Sequence, residues 1–221
     1  MTKRGAFSFM LHTHLPYTRR AGRWPHGEEW LHEAVLECYV PLLDVLWRLR
    51  DEGVPFRLAL DMTPVLVEQL RDPEVQGHFV EYAADRIRRA REDQPRFAAE
   101  GNEAMAWLAG FYADRYQRIL DSFVHRYGGD VVGAIRSLQD SGHVEVATSA
   151  ATHGYLPLLQ RDSSIYGQLA SGVKSYRHHF GRAPTSIWLP ECAYRAACLA
   201  EEPELREQGY VRPGLEEFLQ E

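Results

Sequence analysis

Three short segments of this 221-residue chain carry side chains whose types and spacing could do chemistry. The first is His12-Thr13-His14, which places two imidazoles at positions i and i+2 after an apolar run. The second is His153, which is followed by Gly154. The third is Glu191, which comes directly after the apolar run that ends at Pro190. Carboxylates and imidazoles can act as nucleophiles, transfer protons or bind substrate hydroxyls.

The paired histidines are compatible with two kinds of site. A His-x-His pair at a strand exit, with Asp61 as a further ligand, is typical of metal-dependent hydrolases and deacetylases of barrel fold. Neutral imidazoles can instead hydrogen-bond a polyhydroxylated substrate, because each ring both donates and accepts. His12 and His14 could also only brace their loop. His153 could be a structural residue of a turn, so the residues alone leave these alternatives open.

Glu191 is the candidate catalytic nucleophile. In a retaining glycosidase, one carboxylate attacks the sugar and a second carboxyl group, about 5–5.5 Å away, protonates the leaving oxygen. Asp61 is the best local candidate for that second group, although it could simply cap the helix that begins at Thr63-Pro64. Cys192 is predicted to pack rather than react, because no base is apparent beside it.

Aromatic residues follow the paired histidines. Tyr17, Trp24 and Trp30 could stack on sugar rings, and core packing explains them equally well. We name Tyr17 and Trp24 as candidate substrate contacts.

Four apolar runs with strand character alternate with helical patterns, which is the pattern of an α/β protein with parallel strands. Each run ends at a polar residue, and the exits of parallel strands meet at one rim of a sheet or barrel. The histidines, Asp61, Ser149 and Glu191 should therefore lie close together. The predicted strands are Ala6–Leu11, Phe56–Leu60, His143–Ser149 and Ser186–Pro190.

Helical periodicity dominates the remainder of the chain. Residues 73–140 contain no convincing strand and are predicted to be a mainly helical insertion. About four parallel strands are too few to close a barrel. The expected fold is thus an incomplete (β/α) barrel that stops after about four strands. The predicted helices are Glu28–Arg50 (with a kink at Pro41), Val75–Arg91, Glu103–Tyr127, Asp130–Leu138, Ser163–Phe180 and one beginning near Pro213.

Composition narrows the classes of partner. A net charge of −6 and a pI near 5.9 disfavour a nucleic-acid partner. No apolar run approaches the roughly 20 residues that span a bilayer, so no membrane partner is expected. The three cysteines form no metal-type or disulfide spacing, which favours a reducing cytoplasm.

Three sequence motifs of this chain resemble those of a known family. His12–Tyr17, Gly142–Val146 continuing into Ala151–Tyr155, and Trp188–Tyr194 are similar to the first three sequence regions of glycoside hydrolase family 57, in the family's order. The residues of these motifs are most similar to those of the family's 1,4-α-glucan branching enzymes. The resemblance extends over essentially the whole chain.

The resemblance implies that residues 1–221 are the N-terminal part of a seven-stranded (β/α) barrel. It also implies retaining transglycosylation of an α-glucan without a metal or organic cofactor. By the same resemblance, Glu191 would be the nucleophile, and His12, His14 and His153 would hold sugar hydroxyls. Hydrolysis by an α-amylase and 4-α-glucanotransfer remain alternatives within the family.

The family's acid/base is an Asp in a fourth region, which would lie beyond residue 221. The resemblance therefore makes a further C-terminal portion of the same enzyme the expected partner. We expect the isolated chain to be inactive, because general acid catalysis is typically worth about 10²–10⁴-fold.

Overall fold

The computed structural model describes Gly5, residues 7–23 and residues 25–220. The chain divides into two compact units. The first, which we call the sheet unit, comprises Met1–Pro16, Leu58–Val67 and Glu145–Glu221. The second, which we call the helical unit, comprises Tyr17–Arg57 and Glu68–Val144.

The regular elements of the described residues are as follows, in chain order. The helices are α1 Glu29–Ala34, α2 Val40–Asp51, α3 Pro64–Leu70, α4 Pro73–Ala99, α5 Glu103–Asp121, α6 Val131–Asp140, α7 Asp162–Phe180, α8 Pro203–Glu207 and α9 Leu215–Phe218. The strands are β1 Met10–Thr13, β2 Leu58–Met62, β3 Val144–Ala147, β4 Cys198–Leu199 and β5 Val211–Arg212.

Strands β1, β2 and β3 form one sheet in that order, and β4 pairs with β5 in a separate antiparallel ladder. Strand β1 runs parallel to β2, with His12 opposite Asp61. The end of β2 is fully covered, since Leu60, Asp61 and Met62 are all buried. The parallel α/β class predicted from the sequence is confirmed, and the strand exits lie at one end of β1 and β2.

The first strand begins later than predicted. The sequence indicated Ala6–Leu11, whereas β1 is Met10–Thr13, and Ala6 lies outside the described residues. Phe7 and Phe9, within the predicted strand, are 82% and 60% exposed. The reason is pairing: the ladder with β2 starts only at Met10, opposite Ala59. An apolar run becomes a strand only where a partner strand meets it.

The fourth predicted strand, Ser186–Pro190, is reduced to a single parallel bridge between Thr148 and Ile187. The Trp188 amide donates to the Thr148 carbonyl at 2.8 Å, and the Thr148 amide donates to the Ser186 carbonyl at 3.1 Å. The ladder stops because Pro190 has no N–H and the chain turns into the 3₁₀ segment Pro190–Cys192. Residues 186–188 nevertheless run parallel to the end of β3 through these contacts.

The core of the sheet unit lies between α7, α9 and the segment after β3. Its fully buried members pack with the partly buried Ile187 and Leu189 from the bridged segment, so burial of this segment helps to position Glu191. The buried members are Ala150, Leu156, Ile165, Leu169 and Leu215.

In the helical unit, the helix predicted over Glu28–Arg50, with a kink or split at Pro41, is interrupted just before that proline. A π-helical turn, Val35–Tyr39, joins α1 to α2 just before Pro41. The extra residue of such a turn shifts the apolar face. Leu43 and Leu46 are buried, while Val45 is 42% exposed.

Between residues 73 and 140, the described elements are α4, α5, the π turn Ser122–Arg126 and α6. Asp130 caps α6 as predicted, because its Oδ1 accepts from the Gly133 amide at 2.7 Å. Phe79 and Phe123 meet edge-to-face, with ring centroids 4.5 Å apart, in the core of this unit. That this helical stretch is an insertion within a seven-stranded barrel stays a prediction. No described helix is both long enough and apolar enough to cross a membrane.

Candidate active site

His12 is held from behind by Asp61. Parallel pairing of β1 with β2 sets the two residues opposite each other, and His12 Nδ1 lies 2.5 Å from Asp61 Oδ2. Asp61 is completely buried, and its Oδ1 has no hydrogen-bond partner. Burial raises the pKa of the Asp61 carboxyl to about 8. Burial also lowers the pKa of His12, although Glu191 opposes that effect.

The short bond engages Nδ1 of His12 with the Asp61 carboxyl. Nε2 is therefore the ring nitrogen of His12 that can hydrogen-bond to a ligand.

His14, just after β1, is oriented by Thr63, just after β2. Its Nδ1 lies 3.2 Å from Oγ1 of Thr63, which is fully buried just after β2. The Thr63 amide donates to the Thr13 carbonyl at 3.3 Å, which continues the β1–β2 contact past the strands. Burial lowers the pKa of His14, and the neighbouring His12 lowers it further. His14 is thus a neutral ring at neutral pH.

His153 lies on a tight loop after β3. Its backbone adopts a left-handed conformation, with φ of 58°. The Ala151 amide donates to the Gln168 carbonyl at 3.0 Å, and the Thr152 amide donates to Gln168 Oε1 at 2.9 Å. Helix α7 therefore fixes the loop through one residue. Burial lowers the pKa of His153 to about 4, with His14 and His12 adding to the effect.

Gly172 allows α7 to approach this loop. A Cβ at this position would lie only 2.2 Å from the Ser149 carbonyl oxygen. The hydroxyl of Thr148 also reaches the Gly172 carbonyl, at 3.3 Å. Any larger residue would push the helix away from the exit of β3.

The three imidazoles stack on one another. The ring of His153 lies 4.1 Å from that of His14 and 5.0 Å from that of His12, between centroids. Trp188 covers His12 at 5.6 Å. Stacked rings present their faces to each other, whereas metals bind imidazole in the ring plane through nitrogen. Across the described ranges, no group of three or more His, Cys, Asp or Glu is arranged to hold a metal ion. The arrangement does not fit the metal-hydrolase alternative.

Glu191 projects from the same rim. Its Oε1 lies 3.7 Å from His153 Nε2, and the side chain is 67% exposed. Glu191 and Cys192 both have left-handed backbones, with φ of 56° and 54°. Such conformations cost free energy for residues other than glycine and concentrate at functional sites. The structure thus brings Glu191 and the three predicted histidines together, and Cys192, next in the chain, is exposed rather than packed.

The remaining candidates are placed differently. Tyr17 is 59% exposed and belongs to the helical unit, and Trp24 lies outside the described residues. Their contact with substrate stays a prediction. Asp61 is buried beneath His12 instead of being presented to a sugar. It supports an imidazole and does not serve as the exposed partner of Glu191.

Sequence reasoning placed Ser149 at the common rim without a specific role, and it assigned no site role to Thr63 or Trp188. Ser149 is fully buried; its hydroxyl donates to the Trp188 carbonyl at 2.8 Å and lies 3.3 Å from His153 Nδ1. The available signal was their position, because each stands within four residues of a predicted site residue at a strand exit. Proximity in sequence did not show which of their atoms would meet the imidazoles.

Comparison with known proteins agrees with this geometry. The family model "Glycosyl hydrolase family 57" matches residues 8–213. The chain belongs to glycosyl hydrolase family 57. The resemblance predicted from the three motifs is therefore confirmed.

Among relatives in family 57, the chain is 46% identical over 218 residues to a 1,4-alpha-glucan branching enzyme of Thermococcus kodakarensis, covering 99% of this chain and 31% of the relative. It is 35% identical to the probable 1,4-alpha-glucan branching enzyme Rv3031 of Mycobacterium tuberculosis, covering 86% of this chain and 38% of the relative. The chain thus spans about a third of the length of these relatives.

Solved structures of a GH57-type branching enzyme and of an α-amylase share the fold. A branching enzyme from Pyrococcus horikoshii superposes with a TM-score of 0.84 at 47% identity, covering 96% of this chain and 39% of that one. The α-amylase AmyC from Thermotoga maritima gives 0.82 at 30% identity, covering 99% and 38%. These matches confirm the predicted fold class, and this chain covers less than two fifths of either structure.

Proposed function

We propose that this chain supplies the nucleophile side of a 1,4-α-glucan branching site. The observation that carries the proposal is Glu191, an exposed carboxylate 3.7 Å from a buried imidazole at the rim where His12 and His14 also end. The names of the relatives support branching as the reaction. The substrate would be an α-glucan such as amylose or a glycogen-like chain.

In the proposed reaction, Glu191 attacks the anomeric carbon of an α-1,4-linked glucose and forms a glycosyl ester. A carboxylic acid protonates the departing 4-oxygen. The 6-hydroxyl of an acceptor glucan then attacks the same carbon and gives its proton to the conjugate base of that acid, and Glu191 departs as a carboxylate. Two inversions give net retention. His12 and His14 hydrogen-bond to sugar hydroxyls, which orients the ring.

The acid that protonates the leaving oxygen is proposed to come from a segment outside residues 1–221. Asp61 is unsuited because it is fully buried and bonded to His12. The length of the relatives, about three times that of this chain, supports this part of the proposal.

Hydrolysis or 4-α-glucanotransfer is the second candidate. It is favoured by one observation, the TM-score of 0.82 to an α-amylase. All three reactions share the Glu191 ester and differ in what attacks it. Water, a 4-hydroxyl and a 6-hydroxyl give hydrolysis, transfer and branching respectively, so exclusion of water decides among them.

We also propose that the protein acts in the cytoplasm in the synthesis of glycogen-type glucans. Three free cysteines, all exposed, support a reducing compartment.

The test of the nucleophile uses 5-fluoro-α-glucosyl fluoride. Fluoride leaves without protonation, so labelling does not require the acid/base group. We expect a stable glycosyl ester on Glu191, located by peptide mass spectrometry and absent in Glu191→Gln. Labelling of a different residue, or failure of the wild-type chain to label, would contradict the assignment.

The reaction type is tested separately with amylose. The complete gene product should create isoamylase-sensitive α-1,6 branches, and this chain alone should create none. Reducing sugar without branches would favour hydrolysis, and longer linear glucans would favour 4-α-glucanotransfer.

A further inference from the structure

The contacts of Ser149 restrict the tautomer of His153. The Ser149 side chain is fully buried, so water does not compete for its single hydroxyl proton. Its Oγ lies 2.8 Å from the Trp188 carbonyl oxygen and 3.3 Å from His153 Nδ1. A carbonyl oxygen can only accept, so the proton of the shorter contact belongs to Ser149.

With its proton committed, the Ser149 oxygen can only accept from His153. Reversing the arrangement would leave the Trp188 carbonyl without a donor, which costs more than an exposed lost bond because the site is buried. Nδ1 must therefore carry the ring proton of neutral His153, and Nε2 must carry the lone pair.

The consequence concerns Glu191. His153 Nε2 is buried, makes no hydrogen bond, and faces Glu191 Oε1 at 3.7 Å. A lone pair and a carboxylate oxygen are two acceptors, so this contact is not a hydrogen bond. No side chain in the described part of the chain donates a hydrogen bond to the Glu191 carboxylate.

We infer that Ser149 is a positioning residue, which holds His153 in its Nδ1–H form and so keeps the neighbouring ring from donating a hydrogen bond to Glu191. The opposite tautomer would place Nε2–H beside the carboxylate and reduce its basicity as a nucleophile. Through Trp188, the same hydroxyl also ties the segment that carries Glu191 to the loop that carries His153. This inference rests on the proposed function for its catalytic meaning, whereas the tautomer itself does not.

The test is the pattern of long-range ¹H–¹⁵N correlations of the His153 ring in the whole chain near pH 7. We expect Nδ1 to resonate as a protonated nitrogen and Nε2 as an unprotonated one. Ser149→Ala should move the ring toward the Nε2–H form. The matched control is Thr148→Val, which removes the adjacent buried hydroxyl that bonds to Gly172 and not to His153.

A second readout is the rate of labelling by the glucosyl fluoride. Ser149→Ala should slow it about tenfold, the worth of one neutral hydrogen bond to the nucleophile. Thr148→Val should leave the tautomer unchanged. An Nε2–H ring in the wild-type chain overturns the inference, and this measurement needs no variant to fold. An unchanged tautomer in folded Ser149→Ala overturns it too. Loss of Glu191 labelling with the expected tautomer would instead reject the proposed function.

Discussion

Each unit of the molecule contains a buried histidine that faces a glutamate at nearly the same distance. In the sheet unit, His153 Nε2 lies 3.7 Å from Glu191 Oε1; in the helical unit, His32 Nε2 lies 3.6 Å from Glu28 Oε2. Burial lowers the pKa of both rings to about 4. A buried histidine next to an acid therefore does not by itself mark an active site.

The two glutamates differ in what else they touch. Glu28 is 6% exposed and accepts a hydrogen bond from His78 Nδ1 at 2.6 Å. Glu191 is an exposed carboxylate with no such donor. An acid whose bonding capacity is used inside the fold is structural, whereas one that is left open can react.

Backbone conformation separates the units as well. Four described residues other than glycine have positive φ, and His153, Glu191 and Cys192 belong to the rim, leaving only Arg20 elsewhere. The helical unit otherwise meets such positions with glycine, as at Gly142. Backbone strain at residues other than glycine is thus concentrated at the rim, where side-chain orientation matters, whereas ordinary turns use glycine.

The largest expected effect is a difference between the same substitution at Glu191 and at Glu28. Glu191→Gln should reduce glucosyl fluoride labelling by at least about 10³-fold, because the amide cannot form the ester. Glu28→Gln should leave labelling unchanged. It should instead lower the free energy of unfolding by about 1–3 kcal/mol, measured by urea denaturation, because a charge-assisted bond is lost. Comparable loss of labelling in both variants would show that the comparison is wrong.

Acid should destabilise both units through their histidines. A ring whose folded pKa is about 4 and whose unfolded pKa is 6.5 contributes stability above pH 6.5, which is lost as pH falls toward 4. The difference of about 2.5 between the unfolded and folded pKa values corresponds to about 3 kcal/mol for each ring.

The measurement is urea unfolding at pH 7 and pH 4.5. His153→Gln and His32→Gln should each lose less stability than the wild-type chain between these pH values. A variant with the same pH dependence as the wild type would contradict the assignment for that ring.

Two glycines of α7 test how closely this helix approaches Ser149 in the sheet unit. Gly172→Ala should cost about 2–3 kcal/mol, because its Cβ would meet the Ser149 carbonyl oxygen at 2.2 Å. Gly167, on the same helix, has nothing within 4 Å of an added Cβ. Gly167→Ala should therefore stabilise the protein by about 0.5–1 kcal/mol. Thermal unfolding measures both, and equal shifts would reject the close approach.

The smallest effects test the backbone contrast. Cys192→Gly should raise the free energy of unfolding by about 1 kcal/mol, because glycine adopts a left-handed backbone without strain. Gly142→Ala should lower it by about 1 kcal/mol for the converse reason. A destabilised Cys192→Gly variant would show that the thiol contributes packing that its exposure does not suggest.

The sequence alone was sufficient for the features that depend on local chemistry. The rim position of His12, His14 and Glu191, the Asp130 cap and the α/β class all follow from short-range patterns, and the motif residues identified the family. His12 itself lies inside β1, and Glu191 follows a single bridge instead of a strand. Only the tertiary structure decided how far each strand extends, as the late start of β1 and the single bridge at Ile187 show.

It also decided what lies behind each imidazole. Asp61 supports His12 across 49 residues, and Ser149, which contacts His153, bonds to the Trp188 carbonyl 39 residues further along the chain. The physical reason is that strand pairing and the location of a proton depend on atoms that meet only after folding, whereas caps and strand exits depend on neighbours in the chain.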